Sequence, residues 1–434
     1  MSDWHAWAAV AVFVVAYALI VSERLGRTAI ALAGAGAVLV LHATDDQAAF
    51  FDERTGIDWN VLFLLFGMMV IVGVLSQTGI FEYLAIWSAK RARGRPFRVL
   101  TMMVVLTAVA SALLDNVTTV LLVVPVTLLV CERLALAPTP FLLAEVFAAN
   151  IGGAATLVGD PPNIIIATRA GLSFNDFLVN LLPISALLVV TLVGLCRLLF
   201  RSALGYDADR AAGVMTLRER DAIRDPALLV QGLVVLALVI AGFVLHPVLG
   251  YAPSVVALLG AGLLVAVSRT EPAVAMKEVE WSTLAFFAGL FVLVGALVET
   301  GVIDTIARGV TSGAAANKLG ATAIFLGGSA VLSGVVDNIP YVATVAPITE
   351  QIVAGLPGGQ EGGHVLWWAL TLGADLGGNA TAVGASANVV VLGLAARAGT
   401  PISFWQFTRH GLIVTATTVA IAAVYLYLRY FAFG

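Results

Sequence analysis

Apolar runs of about 20 residues, each long enough to cross a bilayer, recur from one end of the chain to the other. They predict helices near 5–21, 27–43, 58–76, 141–170, 178–200, 227–247, 252–268, 281–299, 365–395 and 411–431. The first run, from Trp7 to Val21, leads into another span and not into a small-residue cleavage site, so it reads as a retained helix. Two further stretches, 99–131 and 319–350, resist a single-helix reading. Asp115-Asn116 interrupts the first and Asp337-Asn338 the second, and Pro125 and Pro347 follow. A charge at mid-stretch predicts a re-entrant hairpin, two half-helices meeting at a polar tip. Runs 141–170 and 365–395 are too long for one crossing and contain Gly152-Gly153 and Gly377-Gly378, with Pro161-Pro162 in the first. Paired glycines and prolines disfavour continuous helix. Each run therefore predicts a helix broken at the bilayer midplane, where unwound backbone is tolerated only inside protein or beside a water-filled cavity.

The pattern repeats internally. Ile57-Asp58-Trp59 matches Val279-Glu280-Trp281, Gly67 matches Gly289, Gly73 matches Gly295, and Thr78-Gly79 matches Thr300-Gly301. Ser111 to Asn116 matches Ser333 to Asn338, and Pro125 and Thr127 match Pro347 and Thr349. Gly152-Gly153-x-x-Thr156-x-Val158-Gly159-x-x-x-Asn163 matches Gly377-Gly378-x-x-Thr381-x-Val383-Gly384-x-x-x-Asn388, and Ser173-Phe174 matches Ser403-Phe404. So many matches in order define two copies of one unit: repeat 1 over 1–200, a linker over 201–226, and repeat 2 over 227–434. The fold class expected is an all-α polytopic membrane protein, each repeat holding five spans and one hairpin.

Charge then orients the copies. Only 12% of the 434 residues are charged and 60% are hydrophobic, with mean hydropathy +0.99; soluble domains carry about 25% charged residues. Loop 77–98 holds Lys90, Arg91, Arg93, Arg95 and Arg98, and linker 197–225 holds Arg197, Arg201, Arg210, Arg218, Arg220 and Arg224. Placing both basic segments in the cytoplasm puts the acidic loop 43–57 and both termini outside a plasma (inner) membrane. Five spans is an odd number, so the second copy enters upside down. Of the 23 lysines and arginines, 18 then face the cytoplasm, leaving Arg54, Arg169, Arg308, Lys318 and Arg429 outside. Inverted repeats are the signature of alternating-access transporters. Cys131 and Cys196 lie far apart and the five histidines show no ligand spacing, so neither a disulfide framework nor a zinc site is expected. No cofactor beyond a coupling ion, H+ or Na+, is called for, and nothing points to nucleic acid.

The chemistry concentrates in the duplicated motifs. A carboxylate inside an apolar stretch costs several kcal/mol unless paired, protonated or wetted. At a hairpin tip, Asp115 and Asp337 can cap helices, or they can alternate between a proton and a cation, with Asn116, Asn338 and free backbone groups completing a Na+ site. The Gly-Gly loops offer a half-helix N-terminus suited to an anion or a polar neutral solute. Thr156, Thr381, Asn163 and Asn388 supply hydroxyl and amide groups. The competing reading of Gly152, Gly153, Gly377 and Gly378 is small-residue helix packing. The copies differ where specificity would arise: Asn150 against Asp375, Ala154 against Asn379, Asp160-Pro161-Pro162 against Ala385-Ser386-Ala387, and Thr118-Thr119 against Pro340-Tyr341. Glu145 stands opposite Leu370 and reads equally as a third proton site or a buried helix contact. Glu132, Glu299 and Glu350 read as interfacial, and Phe81 to Arg95 as a helix in the cytoplasmic interface. No arginine is expected near the motifs to clamp a fixed dianion, which favours a cation or a neutral solute.

These motifs resemble the ion transporter superfamily over nearly the whole chain. Leu114-Asp115-Asn116-Val117-Thr118-Thr119, Asn150 to Thr156, Gly159-Asp160-Pro161-Pro162-Asn163, Asp337-Asn338-Ile339-Pro340 and Gly384 to Val389 are most similar to the melanosomal P protein and its ArsB/NhaD-type bacterial relatives, which share a citrate transporter-like domain. The resemblance implies a homodimer of scaffold and transport domains, an elevator-like movement, and a solute site between the hairpin tips and the broken-helix loops. Dicarboxylate symporters of the superfamily carry Ser-Asn-Thr at the tips, and this chain carries Asp115-Asn116-Val117 and Asp337-Asn338-Ile339. The expectation is a proton-coupled antiporter for Na+ or arsenite. The alternatives are a sodium- or proton-coupled anion or dicarboxylate symporter and an anion channel. An enzyme is not expected: an intramembrane aspartyl protease needs Gly-x-Gly-Asp, and Leu157 precedes Val158-Gly159-Asp160.

Overall fold

The computed structural model describes residues 3–433 except 23, 202–204, 206–217 and 357. Arg210 and most of linker 201–226 lie outside the described residues. What is described is helical throughout, with no strand among those residues. The first half runs α1 (Asp3–Ser22), α2 (Arg27–Val40), α3 (Asp46–Phe51), α4 (Trp59–Ser76), α5 (Ile80–Arg91), α6 (Pro96–Leu113), α7 (Asn116–Leu134), α8 (Thr139–Gly153), α9 (Pro161–Ala170) and α10 (Phe174–Leu199). The second half runs α11 (Pro226–Leu249), α12 (Pro253–Ser268), α13 (Pro272–Lys277), α14 (Trp281–Glu299), α15 (Val302–Ala316), α16 (Lys318–Val335), α17 (Asn338–Ala354), α18 (Gly359–Gly377), α19 (Ser386–Arg397) and α20 (Phe404–Tyr427).

Among the described residues, nine helices are long and apolar enough to cross a membrane: α1, α4, α6, α7, α10, α11, α14, α16 and α20. Outward side chains on α10, including Val179, Leu187, Val190 and Leu198, are apolar and exposed, as a lipid-facing helix requires. Helices α2 and α12 are shorter than their apolar runs, at 14 and 16 residues. At 1.5 Å per residue they span about 21 and about 24 Å, less than the ~30 Å hydrocarbon core. Their first residues, Arg27 and Pro253, are each partly buried.

The helix breaks fall at the interrupting residues. Asp115 caps α7 by accepting the Thr118 N–H at 2.7 Å, and Asp337 caps α17 by accepting the Ile339 N–H at 3.1 Å. Pro161 and Pro162 occupy the first turn of α9, where a missing N–H costs nothing. Ser173 and Ser403 are the N-caps of α10 and α20, so that repeated pair marks a helix start. Gly79 and Gly301 sit at φ +81° and +77°, the left-handed conformation that lets the chain turn into α5 and α15.

Packing is reciprocal. Helix α4 lies on α12 and α14 on α2, while α6 pairs with α8 and α16 with α18. Close approach uses matching glycines. A methyl at Gly67 would sit 2.7 Å from the Ala257 backbone, and one at Gly289 would sit 2.7 Å from the Ala31 backbone. At Gly152 a methyl would stand 2.2 Å from the Ala108 carbonyl oxygen, and at Gly377 it would stand 2.6 Å from that of Ala330. With no hydrophobic drive between helices in lipid, such close backbone contact supplies the association. The halves also cross: α9 packs on α17, and α19 on α7. The crossing brings both interhelical tips and both loops, 154–160 and 378–385, to one place.

Helix α5, read as interfacial, buries Phe81, Ala85 and Ile86 and packs on α6 and α7. It also holds the end of the linker. Lys90 pairs with Glu219 at 2.5 Å and Glu82 with Arg224 at 3.0 Å, while the Arg224 N–H donates to the Thr78 carbonyl at 2.9 Å. Hydrogen bonding to Lys90 holds the Glu219 carboxyl below its ordinary value.

Candidate functional site

The crossing encloses a connected polar network built from both halves. Asn116, the first residue of α7, donates through Nδ2 to Asp160 Oδ2 at 2.7 Å and to Asn150 Oδ1 at 3.1 Å. Asn338, its counterpart on α17, donates through Nδ2 to the same Asp160 oxygen at 3.1 Å. Asn150 passes its own Nδ2 to Asn379 Oδ1 at 2.9 Å and to Asn388 Oδ1 at 3.2 Å. The Asn338 backbone N–H reaches the Gly384 carbonyl at 3.2 Å. Asn116, Asn150, Asp160, Asn338, Asn379 and Asn388 are all buried. Both tip amides thus converge on a carboxylate that only one copy possesses.

Asp160 is 1% exposed and Asp375 is not exposed at all, and the two lie within electrostatic reach of each other. No ion pair to either forms among the described residues. Asp160 Oδ1 and both Asp375 carboxyl oxygens have no hydrogen-bond partner. Buried charge without a partner is costly enough that such a group takes a proton, a cation or a donor.

The tip aspartates are less deeply placed, each half-buried. Asp115 is fully engaged with Thr118, accepting its N–H and, through Oδ2, its hydroxyl at 2.5 Å. Asp337 Oδ2 accepts Arg27 Nη1 at 3.1 Å and the Ser386 hydroxyl at 2.5 Å, and Arg27 also reaches Ser386 Oγ. The Arg27 guanidinium lies 5.3 Å from the centre of the Phe286 ring. An arginine therefore does stand at the motifs, contrary to the sequence reading. It comes from α2, 310 positions away, and its sequence neighbours mark it only as one more basic residue near a span end.

The duplicated threonines and the outer asparagines hold the loops. The Thr156 and Thr381 hydroxyls donate to the Ala112 and Gly334 carbonyls, each at 2.6 Å. Asn163 Nδ2 donates to Gly153 and Thr156 carbonyls at 3.1 and 3.0 Å, and Asn388 Nδ2 to Gly378 and Thr381 carbonyls at 2.7 and 2.8 Å. Gly153 and Gly378 let each loop close on Gly159 or Gly384, which a side chain would obstruct.

The two half-helix N-termini are unlike. Pro161 and Pro162 leave the first turn of α9 without N–H donors there, and the next N–H, of Asn163, bonds the Asp160 carbonyl at 3.0 Å. The α19 N-terminus begins Ser386-Ala387, keeps its N–H groups, and already faces the Asp337 carboxylate. The third N–H of each helix is used alike, since that of Asn388 bonds the Ala385 carbonyl at 3.0 Å, so the two starts differ at the two proline positions.

Glu145 lies apart from the network. It is fully buried in α8 and accepts the Thr127 hydroxyl of α7 at 2.5 Å, with Oε2 unpartnered. Glu350 pairs with Arg169 at 3.5 Å, and Glu299 accepts the Thr44 hydroxyl at 2.6 Å.

The chain belongs to the citrate transporter family, whose model matches residues 17–373. It is 58% identical over 423 residues to an uncharacterized transporter of Mycobacterium bovis, covering 98% of each chain. It is 32% identical over 517 residues to the P protein of Mus musculus, covering 98% of this chain and 60% of that one. Its fold resembles that of the YdaH transporter of Alcanivorax borkumensis, with TM-score 0.64 at 15% identity over 98% of this chain and 97% of that one. MtrF of Neisseria gonorrhoeae, described with a class of antimetabolite efflux pumps, gives TM-score 0.64 at 13% identity over 100% and 96%. The resemblance read from the motifs therefore holds, and the protein is a multi-pass membrane transporter.

Proposed function

We propose that this member of the citrate transporter family is a proton-coupled secondary antiporter, exchanging Na+ or a small neutral solute such as arsenous acid for protons. The observation that carries the reading is the convergence of Asn116 and Asn338 on Asp160, beside a second buried carboxyl, Asp375, with no ion pair to either among the described residues. An acid pair built without its counter-ion suits a site that takes up and gives back protons. Reciprocal packing of α4 on α12 and α14 on α2, and the crossing of α9 and α19 onto the opposite tip helices, support two inverted repeats. On this reading the broken helices and hairpins move as one body against α2, α4, α12 and α14 in an elevator-type cycle within a homodimer. Both basic segments lie in the cytoplasm and both termini outside.

A proton- or sodium-coupled symporter of a carboxylate anion is the second reading. The Arg27 guanidinium and the Ser386 hydroxyl at the start of α19 already hold one carboxylate, that of Asp337, and a substrate carboxylate could displace it. Counterflow in proteoliposomes under an imposed pH gradient, with Na+, Li+, arsenite, chloride and dicarboxylates as solutes, separates the readings. Saturable, uphill exchange of a cation or arsenite against protons is expected. Uphill dicarboxylate uptake with protons would replace the antiporter with the symporter, and non-saturating downhill chloride flux would replace both with a channel.

A further inference from the structure

Far from the polar network, helix α10 ends in a basic pocket on its lipid-facing side. At 1.5 Å per residue its 26 residues span about 39 Å, about 9 Å more than the hydrocarbon core. Its last turn therefore stands among lipid headgroups. A neighbour marks the same level. Phe200, at the α10 C-cap, lies with its ring centre 5.1 Å from that of His410 near the start of α20, and Trp405 on the first turn of α20 is exposed, as interfacial tryptophans are. Along the outward face of α10 the exposed side chains are apolar, with Leu187, Val190 and Leu198 in sequence. At this end the face turns basic, with Arg197 and Arg201 one turn apart and both exposed.

The two arginines line a cavity of about 390 Å³ together with Leu198 and with Phe97 of α6. The Arg197 guanidinium lies over the Phe97 ring, 4.9 Å from its centre. That contact uses the face of the guanidinium and leaves its in-plane N–H groups free to reach two oxygens of one anion. Neither arginine has an ion-pair partner among the described residues, and the described lining holds no carboxylate. An arginine that only snorkels, or only marks the cytoplasmic side, needs neither an aromatic platform nor a cavity. We propose that this pocket binds the headgroup phosphodiester of an anionic phospholipid, whose acyl chains lie along the exposed apolar face of α10. The guanidinium groups take the phosphate oxygens, and Leu198 meets the first methylenes. A zwitterionic lipid would bring an ammonium group to a pocket with no carboxylate to receive it, so the site selects net negative charge. Helix α6 leads into the first hairpin tip and already packs on α10; the bound lipid adds a second tie between them. The inference does not depend on which solute is transported.

The test is thermal melting and native mass spectrometry of the full-length protein in detergent, titrated with dioleoylphosphatidylglycerol, dioleoylphosphatidylcholine or inorganic phosphate. Phosphatidylglycerol should raise the wild-type melting temperature and remain bound as the detergent is stripped; phosphatidylcholine and inorganic phosphate should do neither. Arg197→Gln/Arg201→Gln should lose phosphatidylglycerol affinity by about 30-fold, the worth of two arginines at an anionic lipid surface. Phe97→Leu keeps both charges and should lose part of that affinity, because Arg197 is no longer held. Arg218→Gln/Arg220→Gln removes the same charge from residues outside the pocket and should bind as the wild type does. Equal stabilisation by phosphatidylcholine or by inorganic phosphate overturns the anionic-lipid assignment on the wild type alone, whether or not a variant folds. Undiminished affinity in Arg197→Gln/Arg201→Gln or in Phe97→Leu, or an equal loss in Arg218→Gln/Arg220→Gln, overturns the placement of the lipid in this pocket.

Discussion

Replacing the tip asparagines one at a time probes the Asp160 clamp most finely. Asn116→Ala removes a 2.7 Å bond to the carboxylate and a 3.1 Å bond to Asn150, whereas Asn338→Ala removes only a 3.1 Å bond, since the Asn338 backbone contact to Gly384 survives. Hydrogen bonds to charged groups contribute about 1.5–3 kcal/mol each, and a buried acceptor that loses its donor costs the upper part of that range. At about 1.4 kcal/mol per tenfold, Asn338→Ala should lower kcat/KM for exchange by ~10-fold and Asn116→Ala by ~100-fold. The assay is the initial exchange rate in proteoliposomes at sub-saturating solute, normalised to protein, with thermal melting in detergent as a check on folding. An activity within twofold of wild type for either variant, or Asn338→Ala worse than Asn116→Ala, would refute the argument that both amides act through Asp160.

Gly377→Ala should destabilise by about 1–3 kcal/mol through overpacking of α18 on α16, because the methyl would meet the Ala330 backbone at 2.6 Å; Gly328→Ala on α16, with nothing within 4 Å, should not. Detergent melting temperatures of the two variants check this. Arg27→Gln should impair exchange more than the double variant Arg27→Gln/Asp337→Asn, since the single change strands the Asp337 carboxylate and the double change removes the stranded charge; additive losses would contradict the pair. The Lys90–Glu219 contact should hold the end of the linker fully above the ordinary glutamate value of 4.5 and release it as the pH falls through the lowered folded value. Amide exchange over 219–225, corrected for intrinsic rate, should therefore quicken in acid for the wild type and show no such pH step for Lys90→Gln.

How much of this the sequence displays depends on the range of the interaction. Helix breaks at Asp115, Asp337, Pro161 and Ser386 are written locally, in caps, prolines and glycine pairs, and the chain folds as those residues demand. The site's membership is largely legible too, because duplicated asparagines and threonines mark both loops. Roles are less so. Asp115 and Asp337 attract attention by being paired, yet both serve as helix caps, and Asp337 draws Arg27 from 310 positions away. Asp160 carries less weight in a repeat comparison because Ala385 replaces it in the second copy, yet both tips point at it. That focus arises from the crossing of α9 with α17 and α19 with α7, a tertiary event with no local signature. Likewise Asn163 and Thr156 read as ligands by type, and only the carbonyls beside them in space reveal that they tie a loop.

The most direct measurement of the central claim is uphill cation or arsenite movement in proteoliposomes of the purified protein, driven by a pH gradient alone. The account predicts saturable accumulation against the solute's own gradient, collapse on addition of a protonophore, and its loss in Asp160→Asn with the folded protein retained. Flux that follows only the solute gradient, indifferent to pH and intact in Asp160→Asn, would contradict it.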